Sequence, residues 1–166
     1  MVVEDIPETG LHIDAEAPAE VRPQLANLAG LRSLPRISGT FDLMRQGAGV
    51  RVAGRVKARV GQICVVTLEP IESDLEEPVD LVFAPAAAIE TADHGRADGK
   101  TSDKDPPEPL IGGRLDLGAV ATEFLLLGID PYPRKAGAQF GPLKSDDDTA
   151  RPFAALEALK KRMGDT

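Results

Sequence analysis

The 166 residues suffice for one domain with a sizeable core, since chains of roughly 150 residues bury about two-thirds of the surface they expose when unfolded. A net charge of −8, from 27 acids against 19 Lys and Arg, speaks against a protein that coats nucleic acid nonspecifically, because such binding rests on many cationic contacts to phosphate. Cys64 is the single cysteine, which rules out an internal disulfide, and no stretch approaches the ~18 consecutive apolar residues of a membrane helix.

The start Met1-Val2-Val3-Glu4-Asp5 lacks the basic residues that open a secretory or transit peptide, so a cytoplasmic location with no membrane partner is expected. The charge is unevenly spread. Residues 1–30, 31–68, 69–109 and 110–166 carry −5, +6, −9 and 0, which total −8. A basic block thus sits inside an acidic chain.

In chain order, Leu11-His12-Ile13 predicts a short strand. Val21, Leu25 and Leu28 then recur at helical spacing, with Gly30 placed to end a helix near 20–29 that Pro23 confines at its start. From Arg36 to Val60 the period changes to two, the pattern of strands with one buried face. Ile37, Phe41 and Leu43 form one run, and Val50, Val52, Val56 and Val60 line the next. Gln46-Gly47-Ala48-Gly49 supplies the turn of a β-hairpin, since glycine accepts positive φ without steric cost. The same alternation puts Arg51, Arg55, Lys57 and Arg59 on the opposite face. Ile63 through Leu68 is an apolar run that fits either a strand or a buried turn. Val79, Leu81 and Phe83 predict a further strand.

Residues 86–113 predict a long, flexible acidic and proline-rich loop, including Asp105-Pro106-Pro107-Glu108-Pro109, because little there can bury apolar area. Asp116 precedes Leu117, Val120, Ala121, Phe124 and Leu127, the signature of a capped amphipathic helix ending at Gly128. Residues 129–135 read as a rigid extended segment and 144–150 as a solvated linker. Phe153, Leu156, Leu159 and Met163 predict a closing helix over 152–163. The fold class expected is α+β, a single domain over 1–166 with an antiparallel β-sheet packed by two to three helices.

No catalytic or metal site follows from these residues. Cys64 lies in an apolar run with neither histidine nearby in sequence, so a small buried hydrophobe is the simpler reading. Cys64, His12 and His94 are too few and too scattered for a structural zinc. The acids of residues 69–77 lack a calcium-loop spacing, and no phosphate-binding glycine loop is present, so no cofactor is expected. The basic stripe Arg51, Arg55, Lys57 and Arg59 is the candidate for contact with RNA phosphates. Its alternative is cross-strand pairing with Glu69, Glu72, Glu76 or Asp80 in the same sheet. Stacking aromatics are missing from the stripe, so any RNA contact would read backbone rather than sequence. The candidate surface for a basic protein is Glu72, Asp74, Glu76 and Glu77.

The segments Arg55-Val56-Lys57-Ala58-Arg59-Val60, Cys64-Val65-Val66-Thr67-Leu68-Glu69-Pro70, Glu77-Pro78-Val79 and Ile111-Gly112-Gly113-Arg114-Leu115-Asp116-Leu117-Gly118, in this order around a proline-rich acidic gap, resemble the YceD family. Asp130-Pro131-Tyr132-Pro133-Arg134-Lys135 and Pro152-Phe153-Ala154-Ala155-Leu156 are similar to the branch of that family found in alphaproteobacteria. The resemblance implies a non-enzymatic ribosome-biogenesis factor that supports maturation or accumulation of large-subunit ribosomal RNA. The partner it implies is that RNA or a basic large-subunit ribosomal protein. Many members carry a Cys-x-x-Cys pair, whereas Thr67 stands here where the second cysteine would fall, which removes a metal or redox role. The alternatives from the residues alone are a general protein-interaction adaptor unrelated to the ribosome and a hydrolase with an unfamiliar acidic site.

Overall fold

A computed structural model describes residues 1–89 and 106–141; the predicted linker 144–150, the predicted helix 152–163 and residues 90–105 of the predicted loop lie outside these. The chain divides into two compact units, Met1–Ala136 and Gly137–Thr166. The architecture is that of the first unit.

Five strands form one sheet in the order β1 (Leu11–Glu16), β2 (Ser33–Gln46), β3 (Gly49–Ile63), β4 (Pro70–Pro85) and β5 (Glu108–Leu110). The first four make an antiparallel meander, and β5 pairs parallel with the end of β4. Helix α1 spans Arg22–Leu28 and α2 spans Leu117–Gly128. The α+β class and the β2–β3 hairpin therefore stand as expected, with Gly47 at φ +60° in the turn.

One sheet face holds the core. Phe41, Leu43, Val50, Val52 and Val56 are fully buried, and they share this face because side chains alternate along a strand. Ala26 of α1, Val120 and Leu125 of α2, and Val3 and Ile6 of the N-terminal segment join that core. Asp116 caps α2 by accepting the Gly118 and Ala119 N–H groups at 3.0 and 3.1 Å. Spacing assigns Leu127 to the buried face, but it is 70% exposed while Leu125 is fully buried. The inward face follows 120, 121, 124 and 125, and Leu127, in the last turn of the helix, lies at the margin of that face, about a quarter of a turn from its centre.

β4 carries Pro78 in its interior, which a central strand would not tolerate. β5 reaches only Phe83 to Pro85, so among the described strands β4 pairs at Pro78 with β3 alone, an edge position at which a proline is accommodated. The region expected as a loop over 86–113 differs at both ends: residues 86–89 are helical, and Glu108–Leu110 is β5. Leu110 is the one buried residue of that strand, and three residues that follow Pro106-Pro107 and include Pro109 are too few to show a period.

Candidate functional site

The face of the sheet away from the core carries most of the charged side chains of β3 and β4. Register places Arg59 opposite Asp74 and Lys57 opposite Glu76, with Arg55 opposite Pro78 and Arg51 opposite Val82. The odd-numbered cations of β3 therefore share a surface with the even-numbered acids of β4. Arg51 donates to both Asp80 carboxylate oxygens at 2.8 and 2.7 Å. Arg55 donates to Glu76 at 2.7 Å, and Lys57 lies 3.1 Å from the other oxygen of the same carboxylate. Arg59 approaches Asp74 and Glu72 at 3.4 and 3.6 Å, in both cases through Nε. All four cations of the predicted stripe thus face acids of their own sheet.

Electrostatics follows the geometry. The Lys57 ammonium, supported by Arg55, holds the Glu76 carboxyl below its usual range, and the Asp80 carboxylate raises Arg51 further. These side chains are about half exposed, so the pairs add little to stability. Their main effect is on the field outside the sheet, which they flatten.

Of the predicted acidic set, Glu72, Asp74 and Glu76 lie together on this face, and Glu77 does not. Glu77 pairs in register with the buried Val56, so alternation turns it to the core side. There it packs against the end of α2, its Cγ 2.6 Å from where a side chain on Gly128 would begin. The period of two that identified the stripe carries this information for β4 as well, but the run of acids around it masks the alternation.

The β1–β2 part of the face adds His12, Asp14, Glu16, Arg36 and Asp42, which register places beside the stripe. His12 Nδ1 is 2.6 Å from Asp42, and this bond first, then the charges of Asp42 and Asp14, raises the imidazole pKa. Glu16 divides its oxygens between Arg22 at 3.1 Å and Arg36 at 3.4 Å. Across the four long strands, five cations (Arg36, Arg51, Arg55, Lys57, Arg59) meet seven acids (Asp14, Glu16, Asp42, Glu72, Asp74, Glu76, Asp80). The row of cations on β3 is bordered by acids on its β4 side, whereas on its β2 side Arg36, Ser38, Thr40 and Met44 stand opposite it.

A second arrangement escapes a reading of the sequence. The turn after β3 and the segment 130–135 are distant in the chain but tied together in space. Val65 N–H donates to the Pro133 carbonyl at 2.9 Å, Gln62 Nε2 donates to the Asp130 carbonyl at 2.8 Å, and Lys135 pairs with Glu69 at 2.9 Å. At the centre the fully buried Cys64 sulfur accepts the Lys135 N–H at 3.3 Å and the Thr67 N–H at 3.4 Å. The Lys135 N–H first, then Thr67 through its hydroxyl and its N–H, pull the thiol down to about 6 against the opposing effect of burial. Cys64 is buried as expected, yet it acts as an acceptor and not simply as a small hydrophobe. Leu68, at φ +59°, closes the turn in a conformation costly for a non-glycine residue. No base stands among the described partners of the sulfur, so the contacts are those of a structural tie.

Among the described residues no group of three or more His, Cys, Asp or Glu could hold a metal ion, and no helix is long and apolar enough to cross a membrane. An apolar cleft of about 480 Å³ lies between α1, the start of α2 and the β1–β2 edge. Its two acids are both engaged, Asp116 as the cap of α2 and Glu16 with Arg22 and Arg36, so no uncommitted titratable pair marks the cleft as a reactive site.

A family model described as Large ribosomal RNA subunit accumulation protein YceD matches residues 52–160, well over half of the chain. No curated protein and no solved structure matches. The matched region begins in β3 and includes Arg55, Lys57 and Arg59, their acids on β4, the Cys64 turn and the 130–135 segment. β1, α1 and β2 precede it.

Proposed function

The chain belongs to the YceD family, described by its role in accumulation of large-subunit ribosomal RNA, and from that premise we propose that it acts without catalysis, by holding a basic ribosomal protein of the large subunit on its acidic surface. The observation that carries this reading is the pairing on the sheet. Phosphates seeking the stripe as a whole would have to displace carboxylates that already engage Arg51, Arg55, Lys57 and Arg59. A basic partner meets the opposite situation. The acids outnumber the cations on this face, and the chain carries a net charge of −8, so the long-range field favours its approach. A protein that keeps a basic partner from binding RNA prematurely would support accumulation of that RNA by delivering the partner to it.

The test is binding of purified basic large-subunit ribosomal proteins to the full chain and to the variant Glu72→Gln, Asp74→Asn, Glu76→Gln. Removing three acids is expected to weaken protein binding about tenfold at moderate salt. The same variant, with Arg55, Lys57 and Arg59 released from their partners, is expected to bind RNA more tightly than the parent. Glu77→Gln, on the other side of the sheet, should leave both unchanged. Undiminished protein binding by the folded triple variant would refute the proposal.

A further inference from the structure

The pairing on the charged face is not uniform, and its weakest end has the makings of a site. At the hairpin end Arg51 is held by two hydrogen bonds of 2.8 and 2.7 Å. At the far end Arg59 reaches its acids only at 3.4 and 3.6 Å, and Arg36 reaches Glu16 at 3.4 Å, an acid it shares with Arg22. Register places Arg36 directly opposite Arg59, and Ser38 directly opposite Lys57. Residues opposite one another have Cβ atoms about 5 Å apart, and like charges so placed are destabilising. The sheet thus keeps two facing guanidinium groups, each incompletely neutralised, with an ammonium and a hydroxyl beside them. The four side chains line one groove of about 690 Å³, with Asp74 and Glu76 on its other wall.

We propose that Arg36, Ser38, Lys57 and Arg59 form a binding site for a backbone phosphate of RNA. An anion between the two guanidinium groups would relieve their repulsion and accept their forked N–H donors, a geometry suited to phosphate oxygens. The acids of β4 confine the site to one or two phosphates, since Asp74 and Glu76 form its far wall and a strand laid further along the stripe would meet Asp80. RNA is the source favoured by the family's description. This contact is separate from the proposed hold on a basic protein and does not require it; together they would let one face carry the protein and touch its destination.

The test uses the full chain and a short single-stranded RNA of large-subunit sequence, with binding followed by fluorescence anisotropy across salt concentrations. Arg36→Gln with Arg59→Gln is expected to lower affinity at least tenfold and to reduce the slope of log K against log salt by about 0.7 to 1.4, as loss of one or two contacts requires. Arg51→Gln with Arg55→Gln, which removes the tightly paired cations, should change affinity less than threefold. Either single variant, Arg36→Gln or Arg59→Gln, should melt no lower than the parent, because repulsion is removed, which separates lost binding from lost folding. Amide and side-chain NMR shifts on adding RNA to the unaltered chain should centre on residues 36–38 and 57–59. Equal losses in the two double variants would overturn the site in favour of diffuse attraction, as would absence of RNA binding by the parent. Loss of ribosomal-protein binding in Arg36→Gln, Arg59→Gln with RNA binding intact would assign the groove to protein instead. Failure of the acid-neutralised variant to weaken protein binding would refute the protein hold and leave this site standing.

Discussion

Cys64 shows how much one small side chain can organise when its sulfur receives N–H groups from two parts of the chain. It is fully buried and joins the turn that follows β3 to Lys135. Cys64→Ala removes buried volume and leaves two N–H groups without their acceptor, so a loss of about 2 kcal/mol is expected, read from urea unfolding. Amide exchange at Thr67 and Lys135 should accelerate in the variant more than exchange elsewhere in the sheet; unchanged local exchange would show that packing alone was lost. The pH dependence has a defined sign. The thiol's pKa falls from an ordinary 9.0 to about 6 on folding, so its contribution is full above 9, fades as pH falls and is gone below about 6. The stability gap between parent and Cys64→Ala should therefore widen from pH 6 to pH 8, and a constant gap would argue that the sulfur stays protonated.

β3 depends on glycines where neighbouring backbone leaves no room for a side chain. Gly54 lies midway along it between Phe41 of β2 and Val79 of β4. A Cβ added at Gly54 would stand 1.9 Å from the Thr40 carbonyl oxygen. Because the obstacle is backbone in the centre of a sheet, no rotamer change relieves it. Gly54→Ala is expected to cost at least about 3 kcal/mol, the range of strained core substitutions, and to lower the thermal midpoint by 10 °C or more. Gly49, whose Cβ would meet the Phe83 carbonyl oxygen at 2.1 Å, should behave alike. A mild effect at Gly54 would mean that β2 and β3 can separate there at little cost, which the continuous register on both sides contradicts.

Over the whole molecule, the charged face makes stability and binding respond to acid together. Glu76 and Glu69 both titrate below the usual 4.5, the first held chiefly by Lys57 and the second chiefly by Lys135. A depressed carboxyl contributes stability above its unfolded pKa and loses it as pH falls through the folded value. The chain should thus lose stability progressively below pH 4.5, and Glu76→Gln should show a shallower acid limb in thermal melts. As Glu76 protonates, Lys57 and Arg55 lose their shared partner, so RNA association should strengthen over the same window. Acid destabilisation with an identical slope in Glu76→Gln would show that the pair with Lys57 contributes nothing.

Much of this was legible in the residues. The alternation of Val50, Val52, Val56 and Val60 against Arg51, Arg55, Lys57 and Arg59 determined the hairpin, its buried face and its charged face, because a strand allows only two directions for a side chain. Asp116 and the spacing after it determined α2, since its cap needs neighbours no further than three residues away. The order of segments along the chain also pointed to the family. What opposes the stripe was undetermined: pairing with Asp74, Glu76 and Asp80 depends on the register between β3 and β4, and a slip of one residue would have turned every acid to the core. The facing of Arg36 and Arg59, the turning inward of Glu77 and the tie between Cys64 and Lys135 likewise came only with the tertiary structure. Local periodicity reports on which side of its own strand a residue lies, whereas partners contributed by other strands and loops are chosen by packing across the whole fold.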